Sequence, residues 1–453
     1  MKTRVEEFAR TLDPATTESV RSASAAKVGS RLETLPAIFT DREQARADAQ
    51  AVKDYVLDNL RALLLQLEER CIANGIQVHW AKGAESANRQ ILEICSRRGK
   101  PGATVVKAKS MATEEIHLNK HLEEAGYDVV ETDLGEFVVQ IDHDTPSHIV
   151  TPIIHKSRRQ VADSFEREGL GQRTESPGEL AMQARKHLRD KFRHAEVGIS
   201  GVNFAVASTG RLVLVENEGN SRLSTTAPKT HIALMGIEKI LLGESDLAIF
   251  LPLLAASATG QKITTYVHFI SGPRREDECD GPEEVHLILL DNGRSKILGG
   301  PYRDILRCIR CGACLNVCPV YRQASGHGYG HVYSGPLGAV LAPALEGVKV
   351  YGDLAKASSL CGACEEVCPV RIPIPRMLLQ LRDESFRAGV GRDGIPWKMY
   401  STGARHPSLW RAGLKLLPMA EAMPSPFKKD WLEFRDLPER QEESFRSWWR
   451  GRS

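Results

Sequence analysis

Seven of the ten cysteines in this 453-residue chain fall between Cys308 and Cys368, and nothing else in the sequence constrains its folding so tightly. Cys308, Cys311, Cys314 and Cys318, the last followed by Pro319, follow the pattern C-x2-C-x2-C-x3-C-P. Cys361, Cys364 and Cys368, the last followed by Pro369, repeat its second half. Three thiols two residues apart, set on a tight turn, point inward around one small metal cluster. The fourth, carried away by its proline, serves a second cluster. Gly312 lets the backbone approach and leaves amides free to bond to cluster sulfide. Zinc sites also use C-x2-C, but zinc needs neither the three-residue gap nor a twofold Cys-Pro. The pattern therefore points to two iron–sulfur clusters, of the 4Fe-4S kind, and to electron transfer.

The crossed arrangement assigns Cys308, Cys311, Cys314 and Cys368 to one cluster, and Cys318, Cys361 and Cys364 to the other. The second set lacks a thiol, because Ser358 stands where the repeat calls for cysteine. Three outcomes are open for this cluster. Ser358 ligates through its hydroxyl, the corner iron is water-held or lost to leave a three-iron cluster, or a ligand comes from His327, His331 or a partner protein.

The remaining cysteines, Cys71, Cys95 and Cys279, are scattered. A secreted disulfide scaffold is short and evenly studded, which this chain is not. Residues 1–12 mix Lys2 and Arg4 with Glu6 and Glu7 and have no apolar core, so no signal peptide is expected. Residues 247–258 are the most apolar stretch but contain Pro252 and fall short of the roughly twenty residues a bilayer span needs. A cytoplasmic location without a membrane span is expected. With 60 basic and 58 acidic residues, nothing electrostatic favours nucleic acid.

Four regions are expected. Residues 1–60 read as polar helix, with a long helical pattern over 51–71. Residues 61–298 alternate strand-like and helix-like segments, which argues for an α/β domain. Strands are expected at 76–81, 103–108, 127–131, 137–141, 262–269 and 285–290, and a hairpin around Ser208, Thr209 and Gly210. Thr113 is expected to cap a helix ended by Gly126, and Ser176, Pro177 and Glu179 form a capping box opening another. Residues 299–390 form a helical ferredoxin-type module, with a helix over 336–347 and a glycine-rich loop at 326–331 shielding the clusters. Residues 391–453 carry Trp397, Trp410, Trp431, Trp448 and Trp449, a density that suggests docking on the rest of the chain or on a partner.

Polar strings end several strands: Lys107, Lys109 and Ser110; Glu131, Asp133 and Gly135; Ser200, Gly201 and Asn203; Glu216, Asn217, Glu218 and Asn220. Such loops hold ligands in α/β domains. Walker, nucleophile-elbow and dinucleotide fingerprints are absent, so no catalytic residue is named.

These strings, with Ser147, His148 and the stretch from Asp291 to Arg294, resemble the LUD (lactate-utilisation) domain. Joined to the two cysteine groups and the tryptophan-bearing tail, they make nearly the whole chain similar to the lactate utilisation protein B family. The resemblance implies an α/β fold like the sugar-phosphate isomerase and CoA-transferase group, and a serine at position 358 as the family pattern. It implies a non-catalytic electron-transfer subunit in NAD-independent oxidation of L-lactate to pyruvate. Its partners would be a cysteine-rich iron–sulfur protein and a second LUD-domain protein. Two other readings are a LUD domain that itself oxidises lactate or a related hydroxy acid, and a regulator whose clusters sense iron or oxidants.

Overall fold

The structure, a computed structural model, describes residues 3–390, 395–422, 443 and 445–452. It divides into two units, Lys2–Gly391 and Arg392–Ser453.

Ten strands form two sheets in the first unit: β1 (Gln77–Ala81), β2 (Thr104–Lys107), β3 (Asp128–Glu131), β4 (Val197–Gly201), β5 (Phe204–Val206), β6 (Arg211–Glu216), β7 (Thr230–Gly236), β8 (Ile240–Leu241), β9 (Tyr266–Ile270) and β10 (Glu284–Leu290). Six of them make a parallel sheet in the order β1-β10-β7-β4-β2-β3. The other four make a small mixed sheet, β8-β5-β6-β9, around the expected hairpin. Alternation along the central strands sorts side chains to opposite faces. Ile232, Leu234, Ile288 and Leu290 pack with Ile91 and Leu118, whereas Ala233, Met235, Leu287 and Leu289 pack with Leu63 and Leu67. Helices cover both faces, as a parallel sheet requires.

Several expectations are corrected. Residues 137–141 are helical, inside Leu134–Ile141. The Asp133 carboxylate accepts the Gly135 and Glu136 N–H groups, and this cap, with Phe137 and Val138 buried, overrides β-branched propensity. Ser110, not Thr113, caps Met111–Glu115, and a left-handed His117 separates that turn from Leu118–Glu124. Ser176 makes no side-chain cap on Pro177–His194; Thr174 donates to Glu179 instead. The pattern over 51–71 breaks at Asn59 between Arg42–Asp58 and Leu60–Ala73. The strand expected at 262–269 starts only at Tyr266. Strand β7, in mid-sheet and buried along its whole length, was not anticipated.

The cysteine groups sit on short helical turns, Ala313–Val317 and Ala363–Glu366. One continuous core joins them to the N-terminal helix Pro14–Ile38 and to Leu247–Thr259, through Val20, Phe250, Ile305, Leu315 and Leu378. The expected helix at 336–347 is Gly335–Glu346. No described helix is long and apolar enough to cross a membrane.

In the second unit, Ile395–Arg405, Pro407–Ala422 and Phe445–Arg450 are helical. Trp410 packs edge-on against Tyr400, Arg452 lies over Trp448, and Trp449 is exposed. Trp431 lies outside the described residues.

Candidate cluster sites and the adjoining cavity

The two cysteine turns are built alike, residue by residue. Gly312 and Gly362 both take positive φ, +74° and +85°. The residues just before Cys311 and Cys361, Arg310 and Leu360, are also left-handed, at φ +60° and +55°. That is strained for side chains of this size, and it recurs at the same step of both turns. In the first turn the Arg310 N–H donates to Cys308 Sγ at 3.3 Å; in the second the Leu360 N–H donates to Ser358 Oγ at 3.2 Å. Ser358 thus occupies the local place of Cys308. The Cys-Pro ends are similar but one residue out of step: the N–H of Tyr321, three residues on, donates to Cys318 Sγ at 3.5 Å, and that of Ile372, four residues on, to Cys368 Sγ at 3.4 Å.

None of the ten cysteines is in a disulfide. Burial pushes the Cys311 thiol up to about 12, with Cys308 and Cys368 adding to the effect. Cys314 is raised well above its ordinary value by burial and by Cys308, Cys311, Cys364 and Cys368. Cys364 is raised to about 12 by burial, then by Cys318 and Cys361. The neighbours therefore fall into two sets, Cys308, Cys311, Cys314 and Cys368 against Cys318, Cys361 and Cys364, which meet at Cys314 and Cys364. Buried thiols massed without disulfides, with N–H donors aimed at their sulfurs, fit thiolate ligands whose charge a metal offsets.

Cations from distant parts of the chain surround the first set. Arg31 Nη2 donates to Val367 O, and Arg46 donates to Cys368 O and Glu365 O. Lys53, Lys239 and Arg310 also lie close to Cys308. His148 packs on Gly312, where an added Cβ would come within 3.0 Å of its ring. Its Nδ1 accepts from Val150 and Thr151 N–H, which leaves Nε2 to donate to Asn316 Oδ1. Burial lowers this imidazole to about 3, so it is neutral.

The second set is closed on one side by Tyr329, whose buried hydroxyl hydrogen-bonds Cys318, and reaches the surface at the exposed Cys361. The two candidate histidines are engaged elsewhere. His327 Nε2 bonds to Thr145 O, and His331 pairs through Nε2 with Glu346 while its Nδ1 accepts the Tyr333 N–H.

A cavity of about 470 Å³ lies beyond the C-terminal ends of β2, β3, β4 and β7. The structure gathers here the four polar strings: Lys109 and Ser110, Asp133 and Gly135, Ser200 through Asn203, and Glu216 through Asn220. Of its other wall, Glu238, Lys239, Arg294, Arg310 and Tyr333, sequence reasoning named only Arg294, in the stretch from Asp291 that resembles the LUD domain. The Arg294 guanidinium is buried between Glu115 and Glu238, and Glu238 Oε1 also accepts from Arg310 Nη2 at 3.2 Å. Arg310 stacks on Tyr333, 4.8 Å from the ring centre. Gly236 is required at this corner, since a Cβ would lie 2.2 Å from Glu238 Oε2. Because Arg310 belongs to the first cysteine turn, cavity and cysteines share a wall.

Residues 64–290 match the LUD domain, 304–372 the 4Fe-4S dicluster domain, and 389–453 the C-terminal region of lactate utilisation protein B. A protein of Escherichia coli K12 named an uncharacterized electron transport protein is 44% identical, covering 99% of this chain and 96% of its own. Lactate utilization protein B of Bacillus subtilis is 46% identical over 90% of this chain and 88% of its own. The protein of the same name from Bacillus velezensis is 45% identical over the same shares.

Proposed function

The chain belongs to the lactate utilisation protein B family, and on that premise we propose that it carries electrons through two iron–sulfur clusters during oxidation of L-lactate to pyruvate. The observation that carries this reading is the convergence of seven cysteines into two adjoining sets, the first with Cys311 and Cys368 buried and the second surfacing at Cys361. Cys308, Cys311, Cys314 and Cys368 would hold one cluster; Cys318, Cys361 and Cys364 would hold the other, with Ser358 at its fourth corner. Bound there, the clusters supply one-electron chemistry. The protein contributes N–H donors to the sulfurs and a cationic shell, Arg31, Arg46, Lys53, Lys239 and Arg310, that favours added negative charge. The partners we envisage are a cysteine-rich iron–sulfur protein and a second LUD-domain protein, docking where Cys361 is exposed. We also read the α/β part as related to the sugar-phosphate isomerase and CoA-transferase group, on its parallel sheet with polar loops at the strand ends.

Protein purified without oxygen is expected to contain about seven to eight irons with matching sulfide, as two cubane-type clusters require. Stoichiometric zinc without iron would sink the reading.

Ser358 supplies a second test. Oxygen suits these irons less well than thiolate, so the iron beside Ser358 is expected to leave first under mild oxidation. Brief ferricyanide treatment should yield a three-iron EPR signal from one cluster alone, and Ser358→Cys should suppress it. Equal iron loss in both proteins would mean that Ser358 Oγ does not face the cluster.

A further inference from the structure

The cavity beside the first cysteine turn has its own charge pattern, distinct from the needs of the sheet. Four carboxyls reach its walls, and each already has a partner. Glu216 accepts from Ser221 and Arg222 N–H and from His268; Asp133 accepts two helix N–H groups and lies 3.6 Å from Lys109; Glu238 is shared by two guanidiniums. The fourth, Glu218, accepts the Leu134 N–H. Along the wall nearest the cysteines, Arg294 and Arg310 face Glu115 and Glu238, and Lys239 stands beside them without an ion pair of its own among the described residues.

This wall has free donors. The Arg310 side chain is only 9% exposed, and its Nη1 has no hydrogen-bond partner. Lys239, also on the cavity wall, makes no hydrogen bond and no ion pair among the described residues. A buried guanidinium nitrogen without a partner costs free energy that a ligand acceptor would recover. An anion is the complement of this pair, and the ring of carboxyls opposite limits its charge. A phosphate dianion would face Glu216, Glu218 and Asp133, whereas a monocarboxylate brings one charge and can turn a hydroxyl or oxo group toward them. Met111, Val150 and Leu254 supply an apolar patch for its carbon end.

We propose that this cavity binds a small organic monocarboxylate, its carboxylate held by Lys239 and Arg310 and so in electrostatic contact with the first cysteine set. Binding itself is independent of the electron-carrier reading; only the contact with the cluster rests on it. Calorimetry on the iron-loaded protein, titrated with L-lactate, pyruvate, acetate and inorganic phosphate at low ionic strength, tests the first part. Saturable binding of at least one monocarboxylate, tighter than phosphate, is expected. Lys239→Met should weaken it about tenfold or more, and Lys239→Arg should restore most of it, affinity being compared per iron-loaded protein. No saturable binding, phosphate binding more tightly, or equal affinity in Lys239→Met overturns the site. Redox titration followed by EPR tests the contact. A saturating monocarboxylate should lower the midpoint potential of the buried cluster in the wild type but not in Lys239→Met. Binding that leaves the potential unmoved overturns the contact, while absence of iron would count against the electron-carrier reading instead.

Discussion

Cys368→Ser is expected to strip iron from the site built on Cys308, Cys311 and Cys314, although it lies beside Cys364 in the sequence. The structure sets Cys368 next to Cys311 and Cys308, with its sulfur fixed by the Ile372 N–H and its carbonyl held by Arg46. Cys318→Ser should strip the other site for the mirror-image reason, since Cys318 neighbours Cys361 and Cys364. Each single variant should lose roughly half of the iron, because each removes one ligand from one of two clusters. The pairs discriminate better. Cys311→Ser with Cys368→Ser should lose no more iron than either alone, because both act on one site, whereas Cys311→Ser with Cys318→Ser should lose nearly all of it. Iron and sulfide analysis of the three single variants and the two pairs, purified anaerobically, checks this. Complete loss in the first pair would show that the ligands do not cross. Since metal binding and folding are coupled, both double variants should also lose thermal stability, the second more than the first.

The cysteine repeat was legible because ligand chemistry fixes both residue type and spacing. The strands β1, β2, β3 and β10 were legible because β-branched runs there end at glycine, aspartate or proline. Strand β7 was not, although Pro228 and Gly236 bound it, since a strand buried on both faces shows no alternation. The helix at 134–141 was misread for the opposite reason: its residues favour strand, and one aspartate cap outweighs them. The polar strings of the cavity were visible, as loops following strands. The wall formed by Lys239 and Arg310 was not, because it depends on the first cysteine turn packing over the sheet, a long-range contact that leaves no local trace. The same holds for Arg31, Arg46 and Lys53, which meet the cysteines from the far end of the chain.

Arg294 is the side chain whose loss should be felt most outside the cysteines. Its guanidinium is 2% exposed and makes two bonds of 2.8 Å to Glu115 and one of 2.6 Å to Glu238. Tyr333 donates to the same Glu115, so one buried network holds the sheet to the helix Gly335–Glu346 and the first cysteine turn. Replacing Arg294 with methionine keeps much of the apolar stem but leaves two buried carboxylates short of a partner. Breaking such a group costs about 3–5 kcal/mol. The pH dependence should identify the cause. Burial pushes the Glu238 carboxyl up, but Arg294 and Arg310 outweigh it and hold it down at about 2; Glu115 is likewise lowered against its own burial. A carboxyl depressed in the folded state adds stability that is present above its unfolded value, roughly pH 4.3, and lost only as pH falls toward its folded value. Without Arg294, burial should win at Glu115 and lift it above its unfolded value, which reverses the sign: the variant loses stability as pH rises through that carboxyl. The stability gap between wild type and Arg294→Met should therefore be widest near pH 7.5 and narrow as pH is lowered to about 5. Anaerobic urea denaturation at the two pH values measures it, and a gap independent of pH would mean that the carboxylates are not what Arg294 neutralises.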